Sequence, residues 1–348
     1  MTTDSTEERV LAAVRERRER VNAAIDEDLP LVAPERLWEA SRYLLKAGGK
    51  RLRPTVSLLT AEAIADVPPL SVDYRQFPAL DGGEVDVMAG ALSLEVIQSF
   101  TLIHDDIMDD DALRRGVPAV HKAYDVDTAI LAGDTLYSTA FEMMADTGAA
   151  PENGLEAVRM LAETCTRICE GQALDVEFER RRDVLPDEYL EMVESKTAVL
   201  YGDAAATPAV LLDADDAVVD ALYAYGINSG SAFQIQDDVL DLTVPSAKLG
   251  KQRGSDLVGN KETLITLHAR QQGVDVDGLV DADDAESLTD ADVEDAVATL
   301  NEVGSIEYAR EKAYSLVDES KRNLEALPDN EARSLLAAIA EYLISRGY

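Results

Sequence analysis

The stretch MAGALSLEVIQSFTLIHDDIMD, Met88 to Asp109, decides how this chain is built. Up to His104 it is apolar with one acid, Glu95; at Asp105, Asp106 and Asp109 it turns acidic. An apolar run of this length reads as a buried helix. Asp105 and Asp109 are four residues apart, so a helix sets them on one face, one turn from each other. A second cluster repeats the spacing: Asp237, Asp238 and Asp241 in QDDVLD. Two such faces turned toward each other across a cavity would gather hard oxygen ligands. Mg²⁺ is commonly held by a few carboxylates together with substrate phosphates. The pairing therefore points to chemistry on a diphosphate.

Outward from that helix, apolar periodicity predicts more helices over 5–25, 35–47, 55–66, 128–147, 154–181, 186–202 and 216–242. Others follow over 260–272, 290–302, 305–325 and 330–346, and no strand alternation or hairpin signal stands out. The expected fold is all-α, a single domain over residues 1–348 with ten or more helices around a deep central cavity. Residues 67–87 carry three prolines and two glycines and read as a long surface loop. Residues 244–259 and 273–289 read as loops as well. The aspartates of the last one lack the ligand spacing of a calcium loop.

The net charge is −36, from 68 acids against 32 bases. That excludes the basic footprint of nucleic-acid binding and disfavours an anionic membrane surface. With 46% hydrophobic residues the chain is globular, so the acidity reads as a surface kept hydrated in concentrated salt. Cys165 and Cys169 read as two helix-buried thiols. The N-terminus has no signal-peptide pattern and no span of 18 uncharged apolar residues occurs, so a cytoplasmic enzyme without a membrane anchor is expected.

Lysine is scarce, nine against 23 arginines, yet six of the nine fall in three short segments. These hold Lys46 and Lys50 (KAGGKRLRP), Lys196 (ESKTAVLY), and Lys248, Lys251 and Lys261 (KLGKQRGSDLVGNKET). A point charge kept in an otherwise lysine-poor chain suits phosphate. Arg51, Arg53, Arg114 and Arg115 add forked donors.

In order, GGKRLRP, LIHDDIMDDDALRRGVPAVH, GQALD, KT, FQIQDDVLD and GKQRGSDLVGNKET resemble the trans-isoprenyl diphosphate synthases, from about Leu37 onward. The resemblance implies that an allylic diphosphate ionises and that the double bond of isopentenyl diphosphate attacks the cation. Mg²⁺ would be bound by Asp105, Asp109 and Asp237, with Asp106, Asp238 and Asp241 as further ligands or supports. Arg114, Lys196, Lys251 and Lys261 would hold the allylic diphosphate. Thr197 and Gln234 would lie near the developing cation, where oxygen dipoles stabilise charge without capturing it. Gly49, Lys50, Arg53, Gln98 and Arg115 would take isopentenyl diphosphate; many relatives carry His where this chain has Gln98. Gly171, Gln172 and Asp175 are as readily a packing site as a substrate contact. Asp110 and Asp111 read as solvated acids. Arg346 could close over the isopentenyl site.

Phe100, five residues before Asp105, lies about 7–8 Å deeper along the helix, with the small Thr101 beside it. One bulky side chain at that level resembles archaeal geranylgeranyl diphosphate synthases and implies a twenty-carbon product. Farnesyl and geranylfarnesyl products stay open. So do a class I terpene cyclase, which would lack the second diphosphate site, and a regulatory subunit, which would lose an Asp motif. The resemblance also implies a homodimer, and the acidity together with the geranylgeranyl-type pocket suggests a halophilic archaeon.

Overall fold

The computed structural model describes residues 3–178, 180–245, 253–259, 261–280 and 288–345, with side chains from Glu7. Lys248, Lys251 and Arg346 lie outside the described residues. The helices are α1 (Thr3–Asp28), α2 (Glu35–Lys46), α3 (Leu52–Ile64), α4 (Val87–Met108) and α5 (Val120–Ala123). There follow α6 (Val126–Ala145), α7 (Pro151–Phe178), α8 (Pro186–Val193), α9 (Val199–Leu211) and α10 (Asp216–Thr243). The last are α11 (Ser255–Val258), α12 (Leu264–Gln271), α13 (Asp290–Glu302), α14 (Ser305–Asn323) and α15 (Glu331–Ser345). The fold is all-α, as the periodicity predicts.

Two hairpins of two-residue strands were not foreseen: β1 (Phe77–Pro78) with β2 (Glu84–Val85), and β3 (Leu113–Arg114) with β4 (Val117–Pro118). Strands so short leave no alternation to read. A second difference is α9. The sequence suggests a helix ending near residue 202, but helix continues to Leu211 with Pro208 inside it. Proline removes one backbone donor. Burial of Ala204, Ala205, Ala206, Ala209 and Leu211 compensates.

The chain divides into two compact units. The first comprises Met1–Cys165, Gly202–Tyr223 and Leu324–Ala338. Its centre is α4, packed between α3 and α6, with Leu92, Leu94, Val96, Ile97 and Ile103 fully buried. Among the described residues α4 is the one helix long and apolar enough to cross a membrane. Yet 72% of its most apolar window is buried in the fold, as befits a core helix. The neighbouring face of α6 offers Ala129, Ala132 and Ala140, which lets the helices pack closely and accounts for so few aromatics. The 67–87 segment is not all surface: Tyr74, Phe77 and Val85 are buried. Its end, Asp86, caps α4 by accepting from the Ala89 N–H. Under it, the Glu62 carboxylate accepts from the Tyr74 hydroxyl and the Leu70 N–H and pairs with the buried Arg17 of α1.

The second unit comprises Thr166–Tyr201, Ala224–Asn323 and Ile339–Tyr348. Here α12 packs on α8 and α14. Between α8 and α9 the helix widens into a single π turn, Glu194–Ala198. Such turns mark functional sites more often than chance. Two glycines explain how it is held. A Cβ at Gly171 would lie 2.7 Å from the Lys196 Cα, and one at Gly230 would lie 2.8 Å from the Ala198 Cα. Gly171 is thus a packing glycine. Of the two cysteines of α7, neither in a disulfide, Cys165 is buried but Cys169 is exposed, which corrects the expectation of two buried thiols.

Candidate active site

In the second unit, residues far apart in sequence line one pocket of about 100 Å³: Asp175, Tyr189, Lys196, Thr197, Gln234 and Lys261, with Met192 and Val193 as its apolar wall. The π turn supplies Lys196 and Thr197. Lys196 Nζ donates to Asp175 at 2.5 Å. The Thr197 hydroxyl donates to Gln234 Oε1 at 3.3 Å, and Gln234 Nε2 donates to Asp238 Oδ1 at 3.1 Å. The other Asp238 oxygen accepts the Tyr189 hydroxyl. Lys261 Nζ lies 3.6 Å from Asp238 and 3.5 Å from Asp256.

Burial pushes the Asp238 carboxyl up to about 6, against the opposing pull of Lys261. Burial alone would lower the Lys261 ammonium, but Asp238, Asp256, Asp175 and Asp241 hold it above its ordinary value. Asp241 serves the backbone: its carboxylate accepts from the Ser255 hydroxyl at 3.0 Å and the Asp256 N–H at 3.2 Å. Of the second Asp motif, Asp237 is half-buried while Asp238 and Asp241 are buried.

In the first unit, β3 and β4 are joined by Arg115 (φ 55°) and Gly116 (φ 78°), the left-handed pair a two-residue hairpin turn needs. A non-glycine residue in that region is uncommon. Here it aims the Arg115 guanidinium at the Leu44 carbonyl, 3.1 Å away, and at the Gly48 carbonyl. Gly49 has φ +143°, and a Cβ there would stand 3.0 Å from Arg115 Cζ. The expected isopentenyl residues Gly49 and Arg115 are therefore brought into contact. Lys50 is exposed, and Arg53 and Gln98 are half-buried on α3 and α4.

Arg51 is not an available donor. Its side chain is buried and bonds Glu95 at 2.6 Å, Asn22 at 3.0 Å and the Leu45 carbonyl. Glu95 also stands 3.9 Å from Arg115. Sequence reasoning assigned no role to this buried carboxylate, although a lone acid in an apolar helix was its signal. Tyr189 was missed too, and nothing in its neighbours marks it.

Of the first Asp motif, Asp106 is buried, Asp105 half-buried and Asp109 exposed. Arg114 Nε donates to Asp106 Oδ1 at 2.6 Å, and Arg114 Nη2 to Asp111 at 2.8 Å. Burial raises the Asp106 pKa above the ordinary carboxylate value, with Arg114 opposing. Asp106 Oδ2 is buried with no hydrogen-bond partner. Asp110, exposed, pairs with Lys122 at 2.6 Å.

Among the described residues no three His, Cys, Asp or Glu side chains gather closely enough to hold a metal ion by themselves. Mg²⁺ fits such a donor set, since it is usually bound by one or two carboxylates with phosphates and waters completing its shell. In the first unit the orphaned oxygen of Asp106, the half-buried Asp105 and the exposed Asp109 are hard donors of that kind, and in the second so is the half-buried Asp237.

Phe100, half-buried, sets its ring edge-on to His104 at 4.8 Å and to Tyr137 at 5.2 Å, and Tyr137 continues to Phe141 at 5.0 Å. The Thr101 hydroxyl turns back to the Gln98 carbonyl at 3.0 Å.

Fold and motifs together define a helical prenyltransferase, and comparison with known proteins agrees. Residues 34–300 match the polyprenyl synthetase family model, and the chain belongs to that family, whose members are trans-prenyl diphosphate synthases. It is 66% identical over 339 residues to a geranylfarnesyl diphosphate synthase of Natronomonas pharaonis, covering 97% of this chain and 98% of the relative. It is 47% identical to a geranylgeranyl diphosphate synthase of Methanosarcina mazei, covering 96% and 97%. The solved geranylgeranyl pyrophosphate synthetase of the archaeon Geoglobus acetivorans superposes with a TM-score of 0.84 at 42% identity, covering 96% of this chain and 99% of that one.

Proposed function

We propose that this enzyme condenses isopentenyl diphosphate with allylic diphosphates (dimethylallyl, geranyl and farnesyl) and makes chiefly geranylgeranyl diphosphate for ether-lipid synthesis. The observation that carries the reading is the convergence of Lys196, Thr197, Gln234 and Lys261 on one pocket. Cations there suit a diphosphate, and hydroxyl and amide oxygens beside them suit the carbon that turns cationic. In this reading Asp105, Asp109 and Asp237 are the carboxylates that hold Mg²⁺, with Asp106 in support. Bound Mg²⁺ supplies the positive charge that steadies the departing pyrophosphate. Asp238 and Asp241 support the site from behind. Arg114 moves from Asp106 and Asp111 to the allylic diphosphate, which Lys251 also holds. Gly49, Lys50, Arg53, Gln98 and Arg115 take isopentenyl diphosphate. Departing pyrophosphate accepts the proton, since no side chain stands out as the base.

Phe100 limits the product, its ring backed by Tyr137. A twenty-five-carbon product is the second reading, favoured by the 66% identical relative. The enzyme acts in the cytoplasm as a homodimer. Its α6 exposes Val126, Ile130, Leu131 and Tyr137, more apolar surface than one solvated helix needs.

The test is product analysis in concentrated salt with Mg²⁺, labelled isopentenyl diphosphate and each allylic primer in turn. Geranylgeranyl diphosphate as end product is expected. Geranylfarnesyl diphosphate would move the stop beyond Phe100, and no elongation with any primer would overturn the reaction. Asp105→Ala and Asp237→Ala should each cut kcat at least about 100-fold, consistent with losing a charge-stabilising group; unchanged turnover would remove them from the metal site.

A further inference from the structure

We propose that Tyr189 is a positioning residue which, through Asp238, fixes the direction of the Gln234 amide, and that Asp238 organises the pocket's oxygens instead of ligating metal. The inference rests on the reading that this pocket receives the allylic carbon.

The argument starts from Gln234. Its amide has an oxygen end and a nitrogen end of nearly equal shape, so only its neighbours decide which end faces the pocket. An ionised carboxylate can only accept hydrogen bonds. Asp238, one turn further along α10, takes Gln234 Nε2 at 3.1 Å. The nitrogen is thereby turned away, and Gln234 Oε1 meets the Thr197 hydroxyl at 3.3 Å. Turned the other way, the amide would set oxygen against the Asp238 oxygens and aim N–H donors where a carbocation forms.

Asp238 could release the amide only by rotating, and Tyr189 prevents that. The Tyr189 hydroxyl donates to Asp238 Oδ2, while Lys261 lies 3.6 Å from Oδ1. Tyr189 is only 1% exposed, so its ring is fixed by packing. Four side chains thus form one continuous hydrogen-bonded chain: Tyr189, Asp238, Gln234 and Thr197. Asp238 is 4% exposed and both of its oxygens are engaged inside this chain.

The π turn sets the far end of this chain. Residues eight apart on a regular α-helix point about 80° apart. The wider turn takes up roughly one extra residue, about 100° of rotation, and brings Thr197 round to the side of Tyr189. Gln234 and Asp238, four apart on α10, share a face without help.

The experiment uses the full-length enzyme in concentrated salt, with steady-state kinetics for the allylic substrate and a Mg²⁺ titration. Tyr189→Phe keeps the ring and removes the hydroxyl. It should lower kcat about 10- to 100-fold, less than the roughly 100- to 1,000-fold lost when a stabilising group is removed outright. The KM for the allylic diphosphate and the half-saturating Mg²⁺ should stay within about threefold, because this reading gives the diphosphate to Lys196 and Lys261 and the metal to Asp105, Asp109 and Asp237, none of them among these four. Asp238→Asn, which keeps the shape but frees the amide, should lower kcat likewise with half-saturating Mg²⁺ unchanged, and serves if Tyr189→Phe fails to fold. In a Gln234→Leu background, Tyr189→Phe should add no further loss, since coupled residues are non-additive. Three results would overturn the proposal: kcat of Tyr189→Phe within twofold of the parent, a full additional loss in the Gln234→Leu background, or a tenfold shift in half-saturating Mg²⁺ for Asp238→Asn. An inactive parent enzyme would overturn the functional reading and this inference together, whereas an active parent with an indifferent Tyr189 overturns this inference alone.

Discussion

Asp203 sits wholly inside the first unit, on α9, accepting from Thr207 at 2.6 Å and from Thr164. Its Oδ2 is buried without a partner. Burial pushes its pKa up to about 6, with the two threonine hydroxyls opposing. The unfolded carboxyl ionises near pH ~4. Between there and about 6 the folded chain binds more protons than the unfolded one, so stability falls as pH rises through that window. Above it the penalty is complete, on the order of 3 kcal/mol for a shift of about two units. Asp203→Asn should therefore melt higher than the parent at pH 8, with the gap closing by about pH 4. Thermal unfolding in concentrated salt checks this, and a gap that did not change with pH would refute the assignment. At this scale the sequence is legible for which carboxylates share a helix face, as with Asp105 and Asp109. It is silent on which oxygens are occupied. Asp238 and Asp241 have the same spacing as their partners in the motif but spend their oxygens on Tyr189, Gln234 and the backbone at Asp256. Those partners come from tertiary packing, which no spacing encodes.

The π turn shows the same limit among elements. Periodicity located the helix around Lys196 but not its widening, because the cause lies in Gly171 and Gly230 on other helices. Gly171→Ala forces a Cβ against backbone at Lys196, which cannot swing aside. It should destabilise by about 1–3 kcal/mol, as overpacking does, and should disturb the Lys196–Asp175 pair enough that activity falls even where the protein stays folded. Gly154→Ala, on the same helix with nothing within 4 Å of a new Cβ, should instead stabilise by up to about 1 kcal/mol. Melting curves and kcat for both variants separate site-specific crowding from general helix propensity. Equal effects at the two sites would sink the account. The bounds of most helices were readable to within a few residues. Residues 203–211 were not, since Pro208 signals a break that burial overrides. The β3–β4 hairpin was hidden because its turn rests on Arg115 in a left-handed conformation.

Over the whole molecule, a net charge of −36 makes the folded chain repel itself. Salt near 1 M screens such charges beyond about 3 Å, and salt near 0.1 M only beyond about 10 Å. The melting temperature should therefore fall steadily as KCl is lowered from molar to ~0.1 M, where Debye screening weakens. A flat profile would mean that the acids are a matter of solubility alone. The composition made this legible at once, whereas the two-unit division left no mark in it. Finally, the order in which the chain is made bears on Glu62. Arg17 precedes Glu62 by 45 residues, and Tyr74 follows Glu62 by 12. A cation buried without its partner is strongly unfavourable. During synthesis, then, the first helix emerges from the ribosome with nowhere to settle. It must wait in solvent until the third helix and the loop behind it have been made, which keeps the earliest part of the chain from committing to the wrong apolar surface.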